Sequence, residues 1–274
     1  MTKLVYVQYQ RVDATAHIVL TRPERTNALN GQMLSEIMVA MDAAEADAEV
    51  RAIVVSGSGT SFSSGFDLKE QMEKRPTGVT QWRPLLQKDF DVVMRFWRSP
   101  KPTIASVRGA CLAGAFELMM ACDITIASET AFFGEPELKF GAGIVVMLLP
   151  WLVGPKVAKE IILTGEDRIS CDRAHQLGLV NRIVPDAKLE ETVAGVARHI
   201  AAIDPDLVKQ TKRALNKSLE MRGLTQALDA ALDIDLQIEG GGSPDKIQFM
   251  EIARSQGLKA ALIWRDSRFP SRSQ

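Results

Sequence analysis

The run Ala52-Ile53-Val54-Val55, leading directly into Ser56-Gly57-Ser58-Gly59, constrains this chain more than any other feature. An apolar, β-branched run without polar alternation reads as a strand buried on both faces, and parallel strands covered by helices are the usual way to bury one. The flanking sequence repeats the rhythm. Leu4 to Tyr9 and His17 to Thr21 have strand character, and Arg22-Pro23-Glu24-Arg25 stops the second, because proline removes a ladder donor. A helix is predicted over 32–46, with Met33, Leu34, Ile37, Met38 and Met41 at helical spacing and Asn30 as its N-cap. Further elements follow: a helix over 80–98, a strand over 103–107, a helix over 114–121 and a strand over 124–127. Alternation of this kind predicts an α/β layer architecture with right-handed crossovers.

After Pro185 the pattern becomes purely helical, over 188–203, 205–222 and 225–239. Gly240-Gly241-Gly242 reads as a break, and Ser243-Pro244 as the N-cap and first position of a helix over 245–255, followed by another over 258–264 and a polar tail. The expected organisation is an α/β core over 1–190 and a helical region over 191–274 suited to an oligomer contact.

Lys plus Arg is 33 and Asp plus Glu is 34, for a net charge of −1. That balance argues against a dedicated binder of nucleic acid or membrane surfaces, which needs clustered cationic excess. Cys111, Cys122 and Cys171 are odd in number and without metal-ligand spacing, so they read as reduced thiols. The N-terminal stretch lacks the pattern of a secretory signal. No apolar run reaches the roughly 18 residues of a membrane span. The longest, Gly141 to Val153, is interrupted by Pro150. The expected location is the cytoplasm.

Four segments carry chemical potential. In Ser61-Phe62-Ser63-Ser64-Gly65-Phe66-Asp67-Leu68-Lys69-Glu70, Gly65 permits an unusual backbone angle that can aim the Phe66 amide into a cleft, although standing alone the segment reads better as a plain strand-to-helix turn. The stretch lacks the Gly-Lys-Ser/Thr ending of a phosphate-binding loop. In Arg108 to Asp123, small residues precede an apolar helix whose first amides can hold an oxyanion. Glu117 falls on its first turn, as a complement to the helix dipole or as a functional carboxylate among apolar neighbours. In Phe132 to Gly141, Pro136 gives Glu137 a set direction, and one of the two acids Glu135 and Glu137 is expected to be solvated. Arg22 to Asn30 is a basic, polar loop that suits an anionic ligand or a surface turn.

Taken in order, RPERTNALN, SFSSGFDLKE, RGACLAGAFELMMACD and FFGEPELKFG, continued by IILTGEDRISCDRAHQLGLVNRIV, resemble the crotonase superfamily of enoyl-CoA hydratases and isomerases. The resemblance implies a spiral of ββα turns followed by helices that pack homotrimers, commonly paired as dimers of trimers. It implies an acyl-CoA thioester as substrate, with coenzyme A as part of that substrate and no permanently bound cofactor or metal. It further implies that the amides of Phe66 and Gly114 grip the thioester oxygen. Glu117 would deprotonate the attacking water and Glu137 would deliver a proton to the α-carbon. Ala28, Phe66, Asp67, Leu68 and Lys69 would lie along the pantetheine and adenine, with Arg25 or Lys69 near phosphate. Retention of both glutamates tilts the reading towards hydration of a 2-enoyl-CoA, a reaction of fatty acid metabolism.

The chain also departs from the common hydratase pattern. Phe66 stands where many hydratases carry alanine, and the stretch 141–151 is altered, which leaves the acyl group open. The same scaffold supports isomerisation, dehalogenation, decarboxylation and carbon–carbon cleavage. A non-catalytic acyl-CoA-binding subunit is a further alternative, as is a hydrolase using Ser63 or Ser64, although His17, His175 and His199 all lie outside the four motifs.

Overall fold

In a computed structural model, residues 4–270 are described. The core runs β1 (Val7–Val12), β2 (Thr15–Leu20), α1 (Gly31–Ala46), β3 (Ala52–Gly57), α2 (Leu68–Lys74), α3 (Gly78–Arg98), β4 (Thr103–Val107), β5 (Ala110–Leu112), α4 (Gly114–Ala121), β6 (Ile124–Ser128) and β7 (Phe132–Gly134). It continues through α5 (Leu149–Val153), α6 (Pro155–Thr164), β8 (Ile169–Ser170), α7 (Cys171–Gln176) and β9 (Arg182–Val184). The helices α8 (Leu189–Ala201), α9 (Pro205–Glu220), α10 (Leu224–Gly241), α11 (Pro244–Gln256) and α12 (Leu258–Ser267) follow. Residues 271–274, the end of the expected tail, lie outside the described residues.

The larger sheet has the order β1-β2-β3-β4-β6-β9, antiparallel at β1–β2 and parallel from β2 onward. The α/β expectation therefore holds. β3 is buried on both faces, as its sequence predicts. Ile53 and Val55 enter the main core with Phe62, Phe90 and Phe116, while Val54 joins Ile104 and Ile126 beneath Leu189, Val193 and Ala197 of α8. The smaller sheet, β5-β7-β8, is built from strands of two or three residues. Helix starts follow their caps: Asn30 Oδ1 accepts from Met33 N at 2.9 Å, and Ser243 Oγ accepts from Lys246 N at 3.0 Å.

Two expectations need correction. The first strand begins at Val7 rather than Leu4, because the amides of Val5, Tyr6 and Val7 all donate to Glu36 Oε2, at 3.0, 2.7 and 3.0 Å, before the ladder with β2 takes over. The glycine triplet does not break the chain at Gly240. α10 runs on to Gly241 and ends at Gly242, whose φ is +68°. Gly240 serves close packing instead, since a Cβ there would fall 2.7 Å from the backbone nitrogen of Val79 at the start of α3.

Candidate active site

Two bends of the chain meet at the site. In the first, Phe62 N and Ser63 N donate to the carbonyls of Arg108 and Ala110 at 2.8 and 3.0 Å, which fastens the bend to the approach of β5. Ser63 Oγ donates to Asn27 O at 2.8 Å and accepts from Gly65 N at 3.1 Å. Gly65 has φ +90°, and a Cβ on it would fall 2.6 Å from Ala113 Cβ, so both conformation and space demand glycine. Gly65, Phe66 and Asp67 bridge to Leu29, whose N–H donates to Gly65 O at 2.8 Å and whose carbonyl accepts from Asp67 N at 3.1 Å. Phe66, between those bonds, turns its own N–H to the other side.

In the second bend, Ala113 holds φ 58°, ψ −138° at the entry to α4. A non-glycine residue held there costs about 1–3 kcal/mol, and such strain clusters at functional sites. The Gly65 bend lies against this turn, with the would-be Gly65 Cβ 3.1 Å from Gly114 N. Among the described residues, neither the Phe66 N–H nor the Gly114 N–H donates to a protein acceptor. Two free donors at touching bends form an arrangement suited to a developing oxyanion.

The acids stand beside them. Glu117 is 1% exposed, on the first turn of α4, and its Oε2 has no protein partner among the described residues. Glu137, 7% exposed, begins a single helical turn over Glu137–Phe140 that ends at Gly141, where φ is +77°. Glu135 is also buried, at 1% exposure, which corrects the expectation that one of these two acids is solvated. Its amide donates to Glu166 O at 2.7 Å, drawing the chain inward. Glu117, Glu135 and Glu137 each present an oxygen within 4.8 Å of the others. That oxygen set could accept a hard cation, yet Glu135 and Glu137 are already joined through a side-chain hydrogen bond in which Glu135 donates.

Burial raises the proton affinity of all three. Glu117 is pushed well above the ordinary carboxylate range by burial and then by the Glu137 charge, with the Val146 backbone opposing. Glu135 is likewise pushed well up by burial and by the Glu137 and Glu117 charges. Burial takes Glu137 up to about 7, while its own amide and the bond from Glu135 hold it from rising further. The cluster therefore carries shared protons at neutral pH.

A cavity of about 60 Å³ joins Phe66, Glu117 and Glu137 to Leu68, Asp89 and Asp235. An adjoining cavity of about 130 Å³ shares Phe66 and Asp89 and extends past Asp67 to Lys74 and Lys88. The structure thus brings together Phe66, Leu68, Glu117 and Glu137, with Gly114 against the Phe66 ring. Asp67 lines the outer cavity, but its carboxylate is occupied: it pairs with Arg22 at 2.8 Å and caps α2 through the amides of Lys69 and Glu70. Arg25 and Lys69 are exposed and Ala28 is half-buried, and these three line neither cavity. The three histidines line neither cavity as well.

Sequence reading missed Asp89 of α3 and Asp235 and Glu239 of α10. A signal existed, because Leu228, Leu232 and Leu236 mark the buried stripe of α10 and both acids fall on or beside it.

A family model described as enoyl-CoA hydratase/isomerase matches residues 10–239. A short-chain-enoyl-CoA hydratase of Clostridium acetobutylicum is 36% identical over 231 residues, covering 82% of this chain and 84% of its own. A 4-chlorobenzoyl coenzyme A dehalogenase of Arthrobacter is 29% identical over 265 residues, 94% of each chain. A crystal structure of an enoyl-CoA hydratase/isomerase from Xanthobacter autotrophicus Py2 is 65% identical, with a TM-score of 0.97 over 98% of this chain and 100% of that one.

Proposed function

The chain belongs to the enoyl-CoA hydratase/isomerase family, and on that premise we propose that it adds water across the 2,3 double bond of a 2-enoyl-CoA to give a 3-hydroxyacyl-CoA. The observation that carries this reading is the pair of unoccupied amides, Phe66 and Gly114, at touching bends, together with two buried glutamates, Glu117 and Glu137, that line one cavity with Phe66. The thioester oxygen accepts from both amides. As water adds at the β-carbon, charge moves onto that oxygen, and fixed donors stabilise it without reorganising, each by about 2.7–4 kcal/mol.

Glu117 takes a proton from the water as its oxygen bonds to the β-carbon, and Glu137 gives a proton to the α-carbon. The reactive form is the singly ionised pair, with the charge on Glu117 and the proton on Glu137. The reverse arrangement has the same total charge and is reached by a proton shift between neighbours. Burial raises the proton affinity of both carboxyls, which keeps a proton on the pair at neutral pH for transfer to the α-carbon. The product leaves with both protons accounted for, and Glu117 returns its proton to Glu137 or solvent.

Coenzyme A enters as part of the substrate, and the chemistry requires no permanently bound cofactor. Asp67, Leu68 and the backbone near Ala28 would flank the pantetheine, with Arg25 or Lys69 meeting phosphate at the exposed end. The helical region would build a homotrimer or dimer of trimers. Its exposed Leu207, Leu215, Ile234, Ile247 and Ile263 support that. No helix among the described residues is long and apolar enough to cross a membrane, and the cytoplasm remains the proposed location.

The test is loss of the conjugated thioester absorbance when the purified protein is mixed with crotonyl-CoA and longer or branched enoyl-CoAs. Hydration of one or more supports the reading. Absence of hydration with isomerisation or dehalogenation of a related thioester would assign the same site to another reaction.

A further inference from the structure

The proposed oxyanion and glutamate chemistry gives Asp235 and Asp89 no contact with the reacting atoms, although the Asp235 charge raises the proton affinity of both glutamates and the Asp89 charge that of Glu117. Asp235 is 2% exposed, projects from the buried stripe of α10 and lines the same cavity as Glu117 and Glu137. Neither of its side-chain oxygens has a protein partner among the described residues. The Lys246 charge acts on it, but the ammonium makes its contact with Glu239 Oε2 and sits 4.3 Å from the centroid of the Trp82 ring. The fold makes room for the carboxylate. A Cβ on Gly143 would fall 1.7 Å from Asp235 Oδ1, so the loop after the Glu137 turn passes as bare backbone at that point. Asp89 reaches the cavity from α3, among Leu86, Phe90 and Val93.

A carboxylate buried this deeply is costly unless something supplies a donor. A hydrocarbon acyl chain supplies none. We propose that the acyl group taken by this site carries a hydroxyl beyond its reacting carbons, which donates to Asp235 and is flanked by Asp89, with Leu86, Phe140 and Val145 packing its methylenes. This deepens the acyl-CoA reading above and rests on it. A hydroxyl fits because it can donate to an ionised carboxylate and accept from a protonated one, and burial keeps Asp89 protonated to about pH 8. Sites with buried polar groups discriminate strongly against ligands that leave those groups unpaired.

The experiment measures dissociation constants by calorimetry for butyryl-CoA and 4-hydroxybutyryl-CoA, and for pentanoyl-CoA and 5-hydroxypentanoyl-CoA, all saturated and so not hydrated. At least one hydroxylated ligand should bind ten-fold or more tighter than its parent. Asp235→Leu should abolish or reverse that preference while retaining the parents, and Asp235→Asn, which keeps the shape, should weaken it if the leucine variant fails to fold. Equal or tighter binding of both parents overturns the inference alone, as does a preference that survives both substitutions. Failure of all four ligands to bind overturns the acyl-CoA reading as well.

Discussion

The ring of Phe66 lies over the α-carbon of Gly114, close enough that a side-chain carbon on that glycine would fall 2.2 Å from Phe66 Cε2. The two residues whose amides are proposed to grip the substrate are thus packed together, the ring of one against the backbone of the other. Gly114→Ala should push the ring and its bend away and misaim at least one donor. Loss of one such donor lowers kcat about 10²–10³-fold. Steady-state hydration of crotonyl-CoA checks this, with thermal unfolding to separate a misaimed site from an unfolded one.

Glu117→Gln and Glu137→Gln keep the volume of each side chain and remove its proton transfer. Each should reduce hydration by at least about 10²–10⁴-fold, the usual contribution of a positioned acid or base. Survival of wild-type turnover in either variant would remove that residue from the mechanism.

The pH dependence follows from the singly ionised pair. Below about 7 both glutamates hold protons and no base exists, so kcat/KM should rise as pH passes through about 7 and fall again once both have ionised. Glu135 adjusts this limb, since its hydrogen bond favours the ionised form of Glu137. Glu135→Leu removes that donor and should move the acid limb to higher pH, while Glu135→Gln retains an N–H donor and should leave it near its original position. Identical profiles for wild type and both variants would show that Glu135 does not act on its neighbour.

Asp89 supplies a stability test. Burial raises its carboxyl from 3.8 to about 8 in the folded protein. Between those values the folded state holds a proton that the unfolded state has released, so stability falls as pH rises from about 4 to 8. Asp89→Asn cannot ionise and should flatten that decline, giving a higher melting temperature than wild type at pH 8 and a smaller difference at pH 5. Melting curves at the two pH values measure the effect.

Much of this protein was legible in its sequence because the signals are local. The β-branched run at 52–55 depends only on side-chain type, the Asn30 cap only on a residue three positions away, and the order of the four motifs only on the chain itself. Helix α4 begins and ends where its small and apolar residues predict. Tertiary structure decided the rest. Strands β5, β7 and β8 are too short to show a period and exist because neighbours pair with them. Gly240 looks like a breaker until α3 packs against it. Glu135 and Asp89 are ordinary acids by sequence and Asp235 is marked only by its place on the apolar stripe of α10; convergence of segments far apart in the chain is what removes all three from water. Burial is a property of what surrounds a residue, so the proton affinity and unpaired oxygens that give this cavity its chemistry arise only when the chain is folded.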